Sequence, residues 1–340
     1  MAHRTKSRSE ALCTWEPITS AAGEEARRDV REDDKKPFPA TTLASTPASH
    51  RAIKVIAQTA LPDGIRRWLR VRRDDWRAAR RLRRCVRFTD VFIVGHPKSG
   101  NTWLAYMLAI LLRKDKRDRI TLKNLNLYVP FTQFTHREDS ALEQYGDLPD
   151  PRIFRNEVPQ HPHLYPRVLY LVRDPRAVLV SFYHHVRVEK GDTAMTLADF
   201  VREYLARGAK FIPDYADHTR WDRQVLAWTE RARRGDRVMI VRYEDMVADR
   251  RGGLERVAAF ARIPYGEEDL AAAVYRGDFS AMQRIEDEHG FEFFSPAQAR
   301  RGRFVRRGNP DGWKDELDPA LAEGIVRAFA PAMRAAGYLP

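Results

Sequence analysis

The stretch Val91–Trp103 (VFIVGHPKSGNTW) limits the fold more tightly than any other part of this chain. A β-branched apolar run ends at Gly95, a short polar loop follows, and then Leu104, Met107, Leu108, Leu111 and Leu112 recur at helical spacing. That pattern predicts a buried strand, a loop and a helix, with Gly100 at the turn. The first amides of such a helix have no acceptor within it, and its dipole favours negative charge, so the loop is expected to hold a phosphate-like group. Gly95 and Gly100 have the G-x-x-x-x-G spacing of a nucleotide-binding P-loop. The lysine, however, lies inside the loop as Lys98, and Asn101-Thr102 stands where a kinase or ATPase carries Lys-Ser/Thr for phosphate and magnesium. A P-loop kinase or nucleotide hydrolase is therefore the alternative, not the first choice.

From Thr89 onward, short apolar strands alternate with helices. Val168–Val172 and Val238–Val241 read as buried strands. Helices are expected over 175–188, 196–207, 219–234, 245–262, 267–275, 279–288 and from 319, with a long loop over 290–315. This order implies an α/β fold of three layers, a central parallel sheet flanked by helices. Residues 1–50 are polar, lack periodicity and are expected to be disordered. Residues 51–88 form a second segment, and 89–340 the main domain. Within the second segment, residues 61–88 hold eleven Arg and three Asp, and so most of the net charge of +13. Ile65, Trp68, Leu69, Trp76, Ala79, Leu82 and Val86 would make one apolar stripe on a helix there. That helix either packs on the main domain with a solvated arginine face or lies on an anionic membrane surface; a non-enzymatic membrane-binding adaptor is the second functional alternative. Nothing supports nucleic-acid binding. Two cysteines, Cys13 and Cys85, make no disulfide framework. With no apolar h-region and no spanning run, a cytoplasmic protein, peripheral at most to a membrane, is expected.

Five segments carry a family resemblance. Pro97-Lys98-Ser99-Gly100-Asn101-Thr102-Trp103 resembles the 5′-phosphosulfate loop of sulfotransferases that use 3′-phosphoadenosine 5′-phosphosulfate (PAPS). Leu171–His184 is similar to the second signature of that family, which implies that Arg173 and Ser181 bind the donor's 3′-phosphate. An arginine fork at the C-terminal end of a strand is also well placed for phosphate on physical grounds. Arg242-Tyr243-Glu244-Asp245-Met246 and Phe279-Ser280-Ala281-Met282 resemble elements that put Tyr243 and Phe279 near the adenine, with Trp103 covering the base from another side; Asp245 is also a candidate helix cap. Phe304–Lys314 is similar to an R-K-G-x-x-G-x-W-K segment, which implies that Arg306, Arg307 and the Gly308 backbone close over the 3′-phosphate. The donor-binding set is thus Lys98, Ser99, Gly100, Asn101, Thr102, Trp103, Arg173, Ser181, Tyr243, Phe279, Arg306, Arg307 and Gly308.

Where many members have K-T-H or K-S-H, this chain has Arg155-Asn156-Glu157. Glu157 is the expected catalytic base, His161 its rival and His163 a further one; an Arg155–Glu157 surface pair is the structural alternative. The resemblance implies transfer of a sulfuryl group to a hydroxyl acceptor (small molecule, lipid or glycan) by in-line displacement, with Lys98 offsetting charge on the bridging oxygen. A sulfuryl group carries less negative charge than a phosphoryl group, so no metal is expected. The acceptor is expected to meet loops 124–150, 187–219 and 286–303, whose aromatics Tyr128, Phe131, Phe134, Tyr145, Phe291, Phe293 and Phe294 suit a ring, a lipid or a sugar face. His184 and His185 are expected to shape that pocket or to pack on their helix.

Overall fold

A computed structural model describes residues 63–340 except 114, 116, 133–141, 192 and 193. The expectations for residues 1–62, including Cys13, and for Phe134 fall outside the described residues. Strands β1 (Val91–Gly95), β2 (Ile153–Asn156), β3 (Val168–Val172) and β4 (Val238–Arg242) form one parallel sheet in the order β2-β1-β3-β4. Strand β2 was not anticipated, because its IFRN sequence carries two polar residues. Both of them are buried, which only specific partners can compensate.

Side chains alternate across the sheet, and each face is covered. Val91 and Ile93 of β1 enter one apolar layer and Phe92 and Val94 the other. The first layer is built on α2 (Asn101–Leu112), apolar nearly all round, with α7 (Arg250–Ala261) and α8 (Glu267–Arg276) beyond it. The second is built on α3 (Pro175–Lys190), α4 (Leu197–Arg207), α5 (Trp221–Arg233) and α11 (Pro319–Ala335). The expected 245–262 helix is two: α6 (Tyr243–Ala248) stops before Asp249, whose side chain accepts from the Gly252 amide and starts α7. Asp249, not Asp245, is thus the cap. The expected 290–315 loop contains α10 (Pro296–Arg301), opened by a Ser295–Gln298 capping box, after α9 (Phe279–His289).

The basic helix α1 (Asp63–Cys85) belongs to the same compact unit as the sheet. Its C-terminal end packs: Leu82 is buried, and Arg152 donates to the Cys85 carbonyl while pairing with buried Asp90. The stripe is not wholly covered, since Trp76 remains 60% exposed. No helix among the described residues is long and apolar enough to cross a membrane.

After β1 the chain runs to β2 on one side, while β3 lies on the other. The C-terminal ends of β1 and β3 therefore flank a topological switch point, where an open α/β sheet leaves a crevice. The loop of Lys98 leaves β1 there, and Arg173 leaves β3.

Candidate active site

The crevice opens into a cleft of about 480 Å³ whose walls include Lys98, Trp103, Glu157, Arg173, Tyr243, Phe279 and Arg306. Its floor is the β1–α2 loop. Lys98 has φ 69°, an uncommon backbone conformation for a residue with a Cβ, and Gly100 has φ 105°. Gly100 is required by space as well as by conformation, because a Cβ there would lie 2.9 Å from the Tyr243 ring. The Ser99 amide is spent on the His96 carbonyl at 3.1 Å. Ser99, expected among the donor-binding residues, is fully buried and does not line the cleft; it shapes the loop instead. Asn101 likewise ties the loop together, donating from Nδ2 toward the carbonyls of Gly95 (3.2 Å) and His96 (3.3 Å) and to Glu157 Oε1 (2.9 Å). The amides of Asn101, Thr102 and Trp103 begin α2 and have no acceptor within it.

The Lys98 ammonium lies 3.9 Å from the centre of the Phe304 ring. Burial pulls its pKa down to about 8, opposed by Glu157 and Glu189. Arg173 donates from Nη1 to the Lys98 carbonyl at 3.3 Å and stacks its guanidinium on Tyr243 at 4.2 Å, while its buried Nε has no partner. Ser181 lines the same wall. Opposite, Arg306 pairs with Glu316 at 2.7 Å and Arg307 with Asp315 at 3.1 Å; Glu316 also meets His184 at 2.5 Å. Any anion drawn to Arg306 competes with that carboxylate.

An aromatic slot adjoins these cations. Trp103 meets Tyr243 edge to face at 5.2 Å, and its indole donates to the Gly277 carbonyl. Tyr243 donates to the Gly308 carbonyl at 2.9 Å. Phe279 packs so closely on Gly308 (φ 64°) that a Cβ there would lie 2.2 Å from the ring. Glu244 of the same segment is structural: it accepts from the Asp174 amide and from the Tyr338 hydroxyl.

Glu157 lines the cleft, mostly buried. Burial pushes its pKa up, but His218, Asn101 and Lys98 outweigh it and the net direction is down. The alternative of an Arg155–Glu157 pair does not hold: Arg155 is buried and binds Glu292 at 2.5 Å and the Val129 carbonyl at 2.9 Å. His161 is corrected too. It does not line the cleft; its Nε2 faces Asp75 of α1 at 3.3 Å, and His163 borders a shallow pocket beside Trp76. Of the expected acceptor aromatics, Phe131, Phe291 and Phe293 reach the cleft, whereas Phe294, Tyr128 and Tyr145 pack on the core. His185 reaches it with Glu189 at 3.2 Å; His184 is held by Glu316. Three further residues line it that the motifs do not single out: Tyr215 and His218, within the expected acceptor loop 187–219, and Arg250, outside every segment expected at the site. None of the three belongs to a motif, so the sequence does not mark them individually.

A sulfotransferase-domain family profile matches residues 88–337. The chain belongs to the sulfotransferase family. The kinase and adaptor alternatives give way to this assignment. Among relatives, human Sulfotransferase 2B1 is 27% identical over 268 residues, covering 75% of this chain and 69% of its own length. Amine sulfotransferase of Oryctolagus cuniculus is 26% identical over 261 residues, covering 73% and 82%. The sulfotransferase fold is shared with the solved mouse sulfotransferase SULT7A1 complexed with PAP (TM-score 0.54, 21% identity, 73% of this chain and 85% of that one). It is shared also with retinol dehydratase in complex with androsterone and inactive cofactor PAP (TM-score 0.56, 20% identity, 77% and 85%).

Proposed function

We propose that this sulfotransferase moves the sulfuryl group of PAPS to a hydroxyl acceptor. The observation that carries the reading is a convergence at one crevice: the Lys98 ammonium on a left-handed loop, the cations Arg173, Arg306 and Arg307, and the slot of Trp103, Tyr243 and Phe279. These residues fit the donor's parts. The slot suits a purine face. Arg173, with its orphaned Nε, suits the 3′-phosphate together with Ser181, Arg306, Arg307 and the Gly308 backbone. Lys98 and the first α2 amides suit the phosphosulfate end. Two proteins of like fold were solved in complex with PAP, which accords with this.

The donor supplies an activated sulfuryl group. Lys98, partly desolvated, places its charge where negative charge grows on the leaving oxygen. Glu157, anchored through Oε1 by Asn101, keeps Oε2 for the acceptor's hydroxyl proton. Phe131, Phe291, Phe293 and Phe304 exclude water and give the acceptor an apolar face to lie on. A cytosolic setting accords with a relative named Cytosolic sulfotransferase 13 of Arabidopsis thaliana, 27% identical over 253 residues.

The test is a transfer assay with PAPS against phenolic, steroidal, lipid and glycan alcohols. At least one class should release adenosine 3′,5′-bisphosphate well above the rate without acceptor. Release that no acceptor stimulates would contradict the reading.

A further inference from the structure

His218 lies in the cleft wall with its side chain only 3% exposed, and neither ring nitrogen has a hydrogen-bond partner. A buried polar side chain left unpaired costs free energy and calls for a reason. Its Nε2 stands 3.7 Å from Glu157 Oε2, the carboxylate oxygen that Asn101 does not hold. Its backbone amide donates to the Tyr215 carbonyl, and the Tyr215 ring packs against the imidazole at 5.1 Å. Such acid–base contacts are commonly long without substrate and shorten when it binds.

Building on the reading of the site as a sulfuryl-transfer centre, we infer that His218 is a proton relay: it takes over the acceptor's proton from Glu157. The acceptor O–H bond breaks, its proton passing to Glu157 Oε2. The acceptor oxygen bonds to sulfur as the bond from sulfur to the donor's phosphate oxygen breaks, and the electron pair leaves with the phosphate. The proton then moves from Oε2 to His218 Nε2, restoring the carboxylate, and leaves the imidazolium for water. Glu157 is a poor place for the proton to remain, since Lys98, Asn101 and His218 all favour its charged form.

Other titratable groups facing the pair have settled roles. His96 is buried and bonded to the Tyr204 hydroxyl and the Pro97 carbonyl, with its pKa down near 4, so it stays neutral. His185 is tied to Glu189, which also accepts from the Tyr215 hydroxyl. Lys98 loses its proton near pH 8 and sets the alkaline limb.

Because only a neutral His218 can accept the proton, kcat of the wild-type enzyme should rise with pH along an acid limb. His218→Gln should lower kcat about 100-fold, leave KM for PAPS within about twofold, and abolish that rising limb. In His218→Ala, added imidazole should restore part of kcat. A His218→Gln enzyme within twofold of wild-type kcat with an unchanged profile would overturn the relay, as would a loss that neither alters the profile nor responds to imidazole. Should the variants not fold, NMR titration of wild-type His218 decides: a ring that binds no proton across the rising limb is no relay. Wild-type enzyme that neither transfers nor binds adenosine 3′,5′-bisphosphate would refute the functional reading itself.

Discussion

Lys98→Ala is expected to lower kcat by a factor of 100 to 1,000 or more while leaving the melting temperature within a few degrees of wild type. The size follows from what a single preorganised charge at a developing anion contributes, about 3–4 kcal/mol. The small stability effect follows from the lysine's surroundings. Burial disfavours its charge, and its ring contact with Phe304 is a poor substitute for water, so the folded chain gains little from it. The residue's φ of 69° points the same way, because that conformation is a cost which alanine would share. The alkaline limb carries the sign of the same lysine. Its pKa is lowered, so the ammonium is present below about 8 and lost above it, and donor kcat/KM should fall as pH rises through that value. Steady-state kinetics of the variant beside calorimetric melting checks both parts; wild-type turnover in the alanine enzyme would remove Lys98 from the chemistry.

Arg155→Ala should do the reverse, with a large loss of stability. The guanidinium is 1% exposed and bonded to Glu292, itself 5% exposed, and to the Val129 carbonyl. Removing it leaves a buried carboxylate unpaired, and one oxygen of Glu292 already lacks a partner. Breaking such a pair costs about 3–5 kcal/mol, a fall of roughly ten degrees in melting temperature for a domain of this size. Adenosine 3′,5′-bisphosphate affinity below the new melting point should hardly change, because Arg155 does not line the cleft. Thermal denaturation would show it; an Arg155→Ala protein as stable as wild type but blind to the nucleotide would return this residue to the site.

Arg155 also shows where sequence and structure part. The β1–α2 loop was legible as a local pattern of strand end, glycine and helix start, whereas Ser181 and the Arg306–Gly308 turn were singled out only by the family resemblance; all of them line one cleft with Arg173. The fold class followed from apolar runs between helical periods. Strand β2 was not legible, since its two polar residues need partners that only the fold supplies: Glu292, far along the chain, for Arg155, and Tyr165, beyond the next loop, for Asn156. The same holds for the proposed base. Glu157 was chosen from its place in a triplet, but His218 is 61 residues away and meets it only because α5 packs beside the sheet. His161, close in sequence to Glu157, turns instead toward α1.

The proposed function requires this cleft to hold an adenosine nucleotide by its 3′-phosphate and its 5′-phosphosulfate end together. Isothermal titration of the wild-type protein with adenosine 3′,5′-bisphosphate, with 5′-AMP and with ATP tests it most directly. Adenosine 3′,5′-bisphosphate should bind at least tenfold more tightly than either of the others, and Arg173→Ala should erase that preference. Equal affinity for ATP, or a preference that survives the loss of Arg173, would contradict the account.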